Sequence, residues 1–193
     1  MLNKNIEKKE VFLSNRTQII HIIDSNLGGG AEKLVSILQQ NCENNQKIIT
    51  LKKLDKKNRF NLNYISLNIK SESLGSVILA TIGLFKILFK IKDKNNLVLH
   101  SHLSKSLYAS FLPSILFGID HIYTEHNTYN KKRSKFYLYP LEYLIYKSLK
   151  HIICISEATK SELSSYLPSI KLNKIQVIEN GTKIYDYKKR NFS

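Results

Sequence analysis

Residues 17–32, TQIIHIIDSNLGGGAE, combine a short apolar run, three consecutive glycines and the beginning of a helical pattern. The run TQIIHIIDS (17–25) is almost continuously apolar and ends in polar residues, which is typical of a buried strand. Residues 31–44 follow, with apolar side chains at helical spacing. The sequence therefore predicts a strand, a glycine loop and a helix in immediate succession.

The alternation of strand and helix continues along the rest of the chain. Further strands are predicted at 46–51, 62–69, 96–100, 121–125, 151–155 and 174–178, and helices at 74–92, 105–117, 135–149 and 157–166. Continuous apolar strands that alternate with helices are the pattern of a parallel sheet covered on both faces. We therefore predict an α/β fold with a Rossmann-like, doubly wound and mainly parallel sheet.

One domain accounts for most of the 193 residues. We place this Rossmann-like domain at residues 17–182, a loose N-terminal arm at residues 1–16 and a basic tail at residues 183–193. The longest apolar run, residues 77–85, is much shorter than the roughly 20 residues that a helix needs to span a bilayer. A membrane-spanning helix is therefore not expected.

The chain is strongly basic, with 30 Lys and Arg against 15 Asp and Glu and a formal net charge of +15. Such a charge favours an acidic partner, such as nucleic acid, anionic lipid or a phosphorylated substrate. Lys outnumbers Arg by 26 to four, and base readout relies heavily on Arg, so specific nucleic-acid recognition is not predicted. A non-catalytic basic α/β module that binds nucleic acid or a protein partner is the alternative to an enzyme.

The glycine loop consists of Gly28, Gly29 and Gly30. A glycine loop between a strand and a helix lets backbone N–H groups approach an anion, and the helix N-terminus adds a partial positive charge. The GxGxxG dinucleotide motif is not present because its third glycine position is occupied by Lys33, and there is no P-loop motif either. Anion binding and a plain tight turn are both compatible with this loop.

Polar residues follow three of the predicted strands. They are HSH at 100–102, TEHNT at 124–128 and SE at 156–157. In a doubly wound sheet, ligands bind outside the carboxyl ends of the strands. We therefore expect these residues to meet the glycine loop at one rim, where they would form hydrogen bonds to sugar hydroxyls or phosphates.

Two other uses of the histidines are possible. A zinc site could be formed by His100, His102 and His126, although no Cys or carboxylate is spaced to complete it. One or two of these side chains could instead be buried and hydrogen-bonded within the core. His21 and His151 lie inside or at the start of predicted strands, and we interpret them as structural.

The ordered set of motifs resembles the N-terminal half of a family 4 glycosyltransferase, which has the GT-B fold of two Rossmann-like domains. The resemblance covers about residues 17–182. No single motif is specific, but five in the same order at the same strand ends are fairly specific. They are GGAE at 29–32, HSH at 100–102, YTEHN at 123–127, ISEA at 155–158 with Lys160 and Leu163, and VIENG at 177–181.

The resemblance also implies roles for individual residues. His126 would be the catalytic residue that reaches the transferring sugar, and the glycine loop would face the donor diphosphate. His102 and Ser156 would line the acceptor side. The full set that the resemblance implies is Gly28, Gly29 and Gly30 for the donor, His102, Glu125, Asn127 and Ser156 for substrate, and Asn180 and Gly181 as the hinge to a second domain.

The function implied by the resemblance is transfer of a sugar from a nucleotide-sugar to a glycan or lipid-linked acceptor in cell-surface polysaccharide synthesis. No metal cofactor is expected. The +15 charge suggests an anionic membrane surface as partner, with the protein in the cytoplasm and peripherally bound to the inner face of the cytoplasmic membrane. The family's donor site has two Glu eight positions apart, and this chain contains no such pair. We therefore expect little turnover by this chain alone, with donor binding dependent on a C-terminal domain that could be separately encoded.

Overall fold

The computed structural model describes residues 17–26, 29–41, 45–54, 64–70, 74–128, 133 and 136–181. Residues 1–16 and 183–193, which the sequence assigns to an arm and a tail, lie outside the described residues. Gly28 and Thr182 do so as well.

The described residues form one seven-stranded sheet in which all neighbouring strands are parallel. The strand order is β3-β2-β1-β4-β5-β6-β7, so the chain moves outward from β1 in one direction and then crosses to the other side. The strands are β1 (Gln18–Ile23), β2 (Gln46–Thr50), β3 (Tyr64–Ser66), β4 (Leu97–His102), β5 (Asp120–Glu125), β6 (His151–Cys154) and β7 (Ile175–Val177).

Helices connect most of these strands, and the predicted α/β class is confirmed. Short 3-10 helices at Phe136–Leu138 and Leu172–Lys174 precede α4 and β7. Within the described residues, no helix is both long enough and apolar enough to cross a bilayer. The α-helices are α1 (Gly30–Asn41), α2 (Leu74–Phe89), α3 (Ser104–Phe117), α4 (Tyr139–Ser148) and α5 (Glu157–Tyr166).

Two elements differ from the sequence prediction in ways that affect the site. Strand β4 continues through His102, two residues beyond the predicted end, because Ser101 and His102 pair with Tyr123 and Thr124 of β5. The helix predicted at 135–149 begins as a 3-10 turn, and α4 starts at Tyr139, with a proline in its first turn. Proline suits that position since its fixed φ is helical and no intrahelical partner is needed for its nitrogen.

The helices are distributed unequally over the two faces of the sheet. Ile22 packs with Ala80 and Leu84 of α2, whereas the next residue, Ile23, packs with Val35 of α1. Successive strand residues point to opposite faces, so α1 and α2 lie on opposite sides. Core residues of α3, α4 and α5 pack with Tyr123 and Ile152, which the pairing register places on the α2 side.

Candidate functional site

A cleft of about 360 Å³ lies at the carboxyl end of the sheet. It is formed where the chain leaves β4, β5, β6 and β7 and where α1 begins, as expected for a ligand site in this fold. Its lining residues are Gly29, Gly30, Ala31, Glu32, Leu103, His126, Asn127, Ile155 and Asn180. The structure therefore brings together five of the predicted site residues from three separate motifs.

The glycine loop meets an acidic side chain in this cleft. A Cβ added to Gly29 would clash with Oε2 of Glu32, whereas a Cβ added to Gly30 would meet no atom within 4 Å. Oε1 of Glu32 accepts a hydrogen bond of 3.1 Å from the Ser25 hydroxyl. Glu32 lies in the first turn of α1, where a carboxylate is favoured by the helix dipole. The carboxylate therefore occupies part of the space in which the sequence predicts an anion.

Leu103 contributes a strained backbone to the same cleft. Its φ is 70° and its ψ is 154°, and it immediately precedes α3. A positive φ brings the Cβ of a non-glycine residue close to its own backbone, which costs on the order of 1–3 kcal/mol. The sequence contains no signal for this strain because leucine gives no preference for such a conformation. The strained turn marks the junction of β4 and α3 as part of the site.

A line of hydrogen-bonded side chains runs from the cleft into the sheet. Nε2 of His126 lies 3.2 Å from Nδ1 of His102, and Nε2 of His102 lies 3.1 Å from Nδ1 of His21. Nε2 of His21 then lies 3.0 Å from Oε1 of Gln46. His102 is completely buried and does not line the cleft. His126 lies between His102 and the cleft, and the contact of His102 with acceptor stays a prediction.

His21 and His100 complete this cluster. The rings of His100 and His102 are 4.2 Å apart between centroids, as predicted for alternate residues on one face of a strand. Nε2 of His100 lies 2.7 Å from the Thr124 hydroxyl. His21, which we interpret from the sequence as structural, is a direct neighbour of both histidines. The sequence signal that could have indicated this position of His21 is a polar residue inside the apolar run QIIHII.

Burial keeps these imidazoles neutral. Desolvation lowers the pKa of His126 to about 4 and that of His21 to about 4. Burial, together with the neighbouring imidazoles, holds the pKa of His100 and of His102 well below the usual histidine range. At neutral pH the cluster therefore offers hydrogen bonds to a ligand but no positive charge.

A metal ion could be held by a different set from the one that the sequence suggests. Ligand nitrogens of His21, His100 and His102 lie within 4.8 Å of one another, and His126 is not part of this group. The facing nitrogens of His21 and His102 are also the pair that forms the 3.1 Å hydrogen bond. A metal would have to displace the proton between them, so the present geometry favours a hydrogen-bonded cluster.

Glu125 is buried away from the cleft. One of its carboxylate oxygens accepts from the Arg133 guanidinium and from the Tyr146 hydroxyl at 3.1 Å. The other accepts from the Tyr123 hydroxyl and from the Asn127 backbone N–H, each at 3.3 Å. Burial raises the pKa of Glu125, while Arg133 and these hydrogen bonds act in the opposite direction. Glu125 therefore holds the turn that carries the cleft residue Asn127, and its contact with substrate stays a prediction.

Ser156 also has a structural position. Its Oγ accepts a hydrogen bond from the Thr159 backbone N–H at 3.2 Å and caps the N-terminus of α5. Ser156 is not among the lining residues of the cleft, whereas the preceding Ile155 is. Ser156 therefore caps α5, and its place on the acceptor side stays a prediction.

The two predicted hinge residues border a second cavity. Asn180 and Gly181 line a space of about 310 Å³ beside His21, His100 and Gln46, on the α1 side of the sheet. Asn180 lies in both cavities. The segment after β7 therefore connects the surface of the histidine cluster with the cleft.

Comparisons with known proteins agree with this fold. A family model described as Glycosyltransferase Family 4 matches residues 63–184, which is almost two thirds of the chain. No curated protein matches the chain significantly. Anabaena Alr3699/HepE, solved in complex with UDP and glucose, is similar, with a TM-score of 0.65 and 13% identity over 86% of this chain and 45% of that one.

Two further solved structures are similar to the chain. A glycosyltransferase from Rickettsia africae ESF-5 has a TM-score of 0.63 and 18% identity, over 86% of this chain and 43% of that one. The UDP-GlcNAc 2-epimerase from Methanocaldococcus jannaschii has a TM-score of 0.59 and 16% identity, over 84% of this chain and 45% of that one. At such identities the likeness concerns the fold, and the chain spans less than half the length of each structure. Together with the family match, the architecture shows that the chain belongs to glycosyltransferase family 4 and has the Rossmann-like N-terminal fold of the GT-B enzymes.

Proposed function

We propose that this chain forms the acceptor-binding half of a glycosyltransferase that uses a nucleotide-sugar. The observation that carries the proposal is the cleft, in which Gly29, Gly30, His126, Asn127 and Asn180 meet at the carboxyl end of the sheet. The acceptor would be a glycan or lipid-linked intermediate of cell-surface polysaccharide synthesis. Family membership weighs against the alternative of a non-catalytic module that binds nucleic acid or protein.

The residues of the cleft suit transfer by positioning. His126 would form a hydrogen bond with a hydroxyl of the transferring sugar, since its imidazole is neutral at pH 7. The backbone at Gly30 has open space around it and would approach the diphosphate. Glu32 would have to move aside, because its carboxylate lies over Gly29 and would repel a phosphate. Rate acceleration would come from orientation and from stabilising the leaving diphosphate, without a resident metal.

Donor binding would require a second domain, in the same polypeptide or a separate one. The cleft is bounded on one side by this chain, so a diphosphate there would remain in contact with water, where hydrogen bonds to it contribute less than in a closed site. UDP-glucose and UDP-GlcNAc are suitable first donors because similar structures bind UDP and glucose or act as UDP-GlcNAc epimerases.

Calorimetry with these two donors tests whether donor binding requires the second domain. The chain alone should bind them weakly or not at all, and a supplied second domain should restore binding. His126→Ala should then abolish transfer, whereas the matched change His151→Ala, at an exposed residue of β6, should not. Micromolar donor binding by the chain alone would show that the donor site is here and would overturn the proposal.

We also propose that the chain binds the anionic cytoplasmic face of a membrane through α2 and α3. These two helices pack against each other and carry seven exposed large apolar side chains. They are Ile78, Leu79, Ile82, Phe89, Leu112, Ile115 and Leu116. Phe85, Phe89 and Phe117 line a groove of about 460 Å³ together with Lys86 and Lys90. Apolar surface rimmed by lysine suits a lipid headgroup layer, where each Lys contributes about 1 kcal/mol.

Co-sedimentation with vesicles tests the membrane proposal. Binding should be strong on vesicles of anionic lipid, weak on neutral vesicles, and reduced at about 1 M salt, where the Debye length is about 3 Å. The double substitution Lys86→Glu and Lys90→Glu should remove binding. The double substitution Lys33→Glu and Lys47→Glu changes the net charge equally at exposed positions on α1 and β2, and it should largely retain binding. Equal loss in both variants would show that only total charge matters and would refute a specific surface.

A further inference from the structure

The four side chains that lead inward from the cleft come from four adjacent strands or strand ends. Gln46 begins β2, His21 lies in β1, His102 ends β4, and His126 directly follows β5. The sheet order is β2-β1-β4-β5, so each strand supplies one member. The pairing register places each member two residues further along its strand than the one before, so the line runs diagonally across the sheet. Its three links measure 3.0, 3.1 and 3.2 Å between polar atoms.

We propose that Gln46, His21 and His102 are positioning residues that fix the tautomer of His126. The consequence of that tautomer for sugar binding rests on the proposed function, but the tautomer itself can be measured without any substrate. Each neutral imidazole has one N–H group and one nitrogen lone pair. Once the donor and the acceptor at one end of the line are known, the donor and the acceptor of every other hydrogen bond in the line follow.

The direction of the line is set at Gln46. Its Oε1 can only accept a hydrogen bond, so Nε2 of His21 carries the proton and Nδ1 of His21 is the acceptor. Nε2 of His102 therefore donates to His21, and Nδ1 of His102 accepts. Nε2 of His126 donates to His102 in turn, which leaves Nδ1 as the acceptor nitrogen of His126.

Burial makes the opposite arrangement unfavourable. His21 and His102 are 2% and 0% exposed, so bulk water has little access to a nitrogen that loses its partner. With the Gln46 amide oriented as in the structure, reversal of the protons would place the lone pair of His21 Nε2 against the Gln46 oxygen. A buried acceptor that faces another acceptor disfavours that state by about tenfold or more. His126 should therefore be held almost entirely as the Nε2–H tautomer.

This tautomer determines what the cleft can recognise at His126. Nε2 is committed to His102, and Nδ1 has no hydrogen-bond partner among the described residues. A sugar hydroxyl at this position would therefore have to donate its hydrogen to Nδ1. A carbonyl or phosphate oxygen, which can only accept, would be disfavoured at the same atom. In the proposed function, this selects a hydroxyl group of the donor sugar and excludes the diphosphate from His126.

Nitrogen NMR of the chain labelled with ¹⁵N-histidine tests the proposal directly. Protonated and unprotonated ring nitrogens have well-separated shifts, and the six histidines can be assigned by loss of single signals in variants such as His126→Asn. At pH 7 the wild-type chain should show His21, His102 and His126 all with the proton on Nε2. An N–H proton on Nδ1 of His126 in the wild-type chain would overturn the proposal, whatever the variants do.

Two substitutions of Gln46 test the coupling through the line. Gln46→Lys replaces the acceptor by a donor, and the adjoining cavity of about 310 Å³ leaves room for the longer side chain. His126 should then change to the Nδ1–H tautomer, although residue 46 is two imidazoles away. Gln46→Met removes the acceptor without adding a donor, so His126 should populate both tautomers.

Asn45→Lys is the matched control because it adds the same charge at an exposed neighbouring residue. It should leave the tautomer of His126 unchanged. If His126 stays Nε2–H in a folded Gln46→Lys chain, or changes equally in Asn45→Lys, the residues do not act through the line and the proposal is wrong. Micromolar donor binding by the chain alone would refute the proposed function without affecting this result, because the NMR experiment uses no substrate.

Discussion

Acid should weaken the fold through His121, which is buried on the face of the sheet opposite the histidine line. His121 is 3% exposed. Its Nε2 lies 2.8 Å from the Ser101 hydroxyl, and its Nδ1 lies 3.4 Å from the Ser114 hydroxyl of α3. Burial lowers the pKa of His121 from 6.5 to about 3. Between these values the unfolded chain binds a proton that the folded chain does not, so the free energy of unfolding falls as the pH falls.

The size of this effect follows from the two pKa values. At pH 5 an imidazole with a pKa of 6.5 is almost fully protonated, whereas one with a pKa of about 3 is almost fully neutral. Linkage then gives a loss of about 2 kcal/mol between pH 7 and pH 5 from this residue alone. His21 and His126 change stability in the same direction, and Glu125, with its raised pKa, changes it in the opposite direction. The total acid dependence is therefore a sum over several groups.

Substitution of His121 isolates its part of that sum. Urea unfolding of the wild-type chain and of His121→Gln, followed by far-UV circular dichroism at pH 7, 6 and 5, gives the difference in stability at each pH. This difference should shrink by about 2 kcal/mol as the pH falls, since only the wild-type chain has this group to titrate. A pH-independent difference for His121→Gln would refute the reasoning.

Urea unfolding of three further pairs of variants tests a core contact, a helix cap and a buried ion pair. Leu84→Ala should cost about 2–5 kcal/mol because Leu84 is fully buried on the face of α2 that packs against the sheet, while Leu79→Ala, at an exposed position of the same helix, should change little; similar losses would contradict the packing. Ser156→Ala should cost about 1 kcal/mol, and Ser156→Asp should not, because Asp also accepts a hydrogen bond at the N-cap. No loss in Ser156→Ala would show that the cap does not stabilise the fold. Glu125→Met should cost roughly 3–5 kcal/mol and the double variant with Arg133→Met much less; equal losses would exclude the buried ion pair.

The fold class could be predicted from the sequence because its signals are local. Apolar runs of strand length alternate with helical patterns, and this alternation is sufficient to indicate a parallel α/β sheet. The polar motifs after the strands could also be placed at one rim, since parallel strands end on the same side. Gly29, Gly30, His126, Asn127 and Asn180 accordingly meet in one cleft.

Which polar residue at that rim is exposed was decided by the tertiary structure. His102 and His126 both follow apolar runs, but strand pairing with β5 extends β4 through His102 and buries it. Glu125 and Asn127 belong to one motif, yet the carboxylate turns inward, where Arg133 and Tyr146 from other parts of the chain and Tyr123 of the same strand surround it. The line from Gln46 to His126 joins residues 80 positions apart in sequence. Such a line depends on the order and register of four strands, and these are set by packing between distant segments and not by any local pattern.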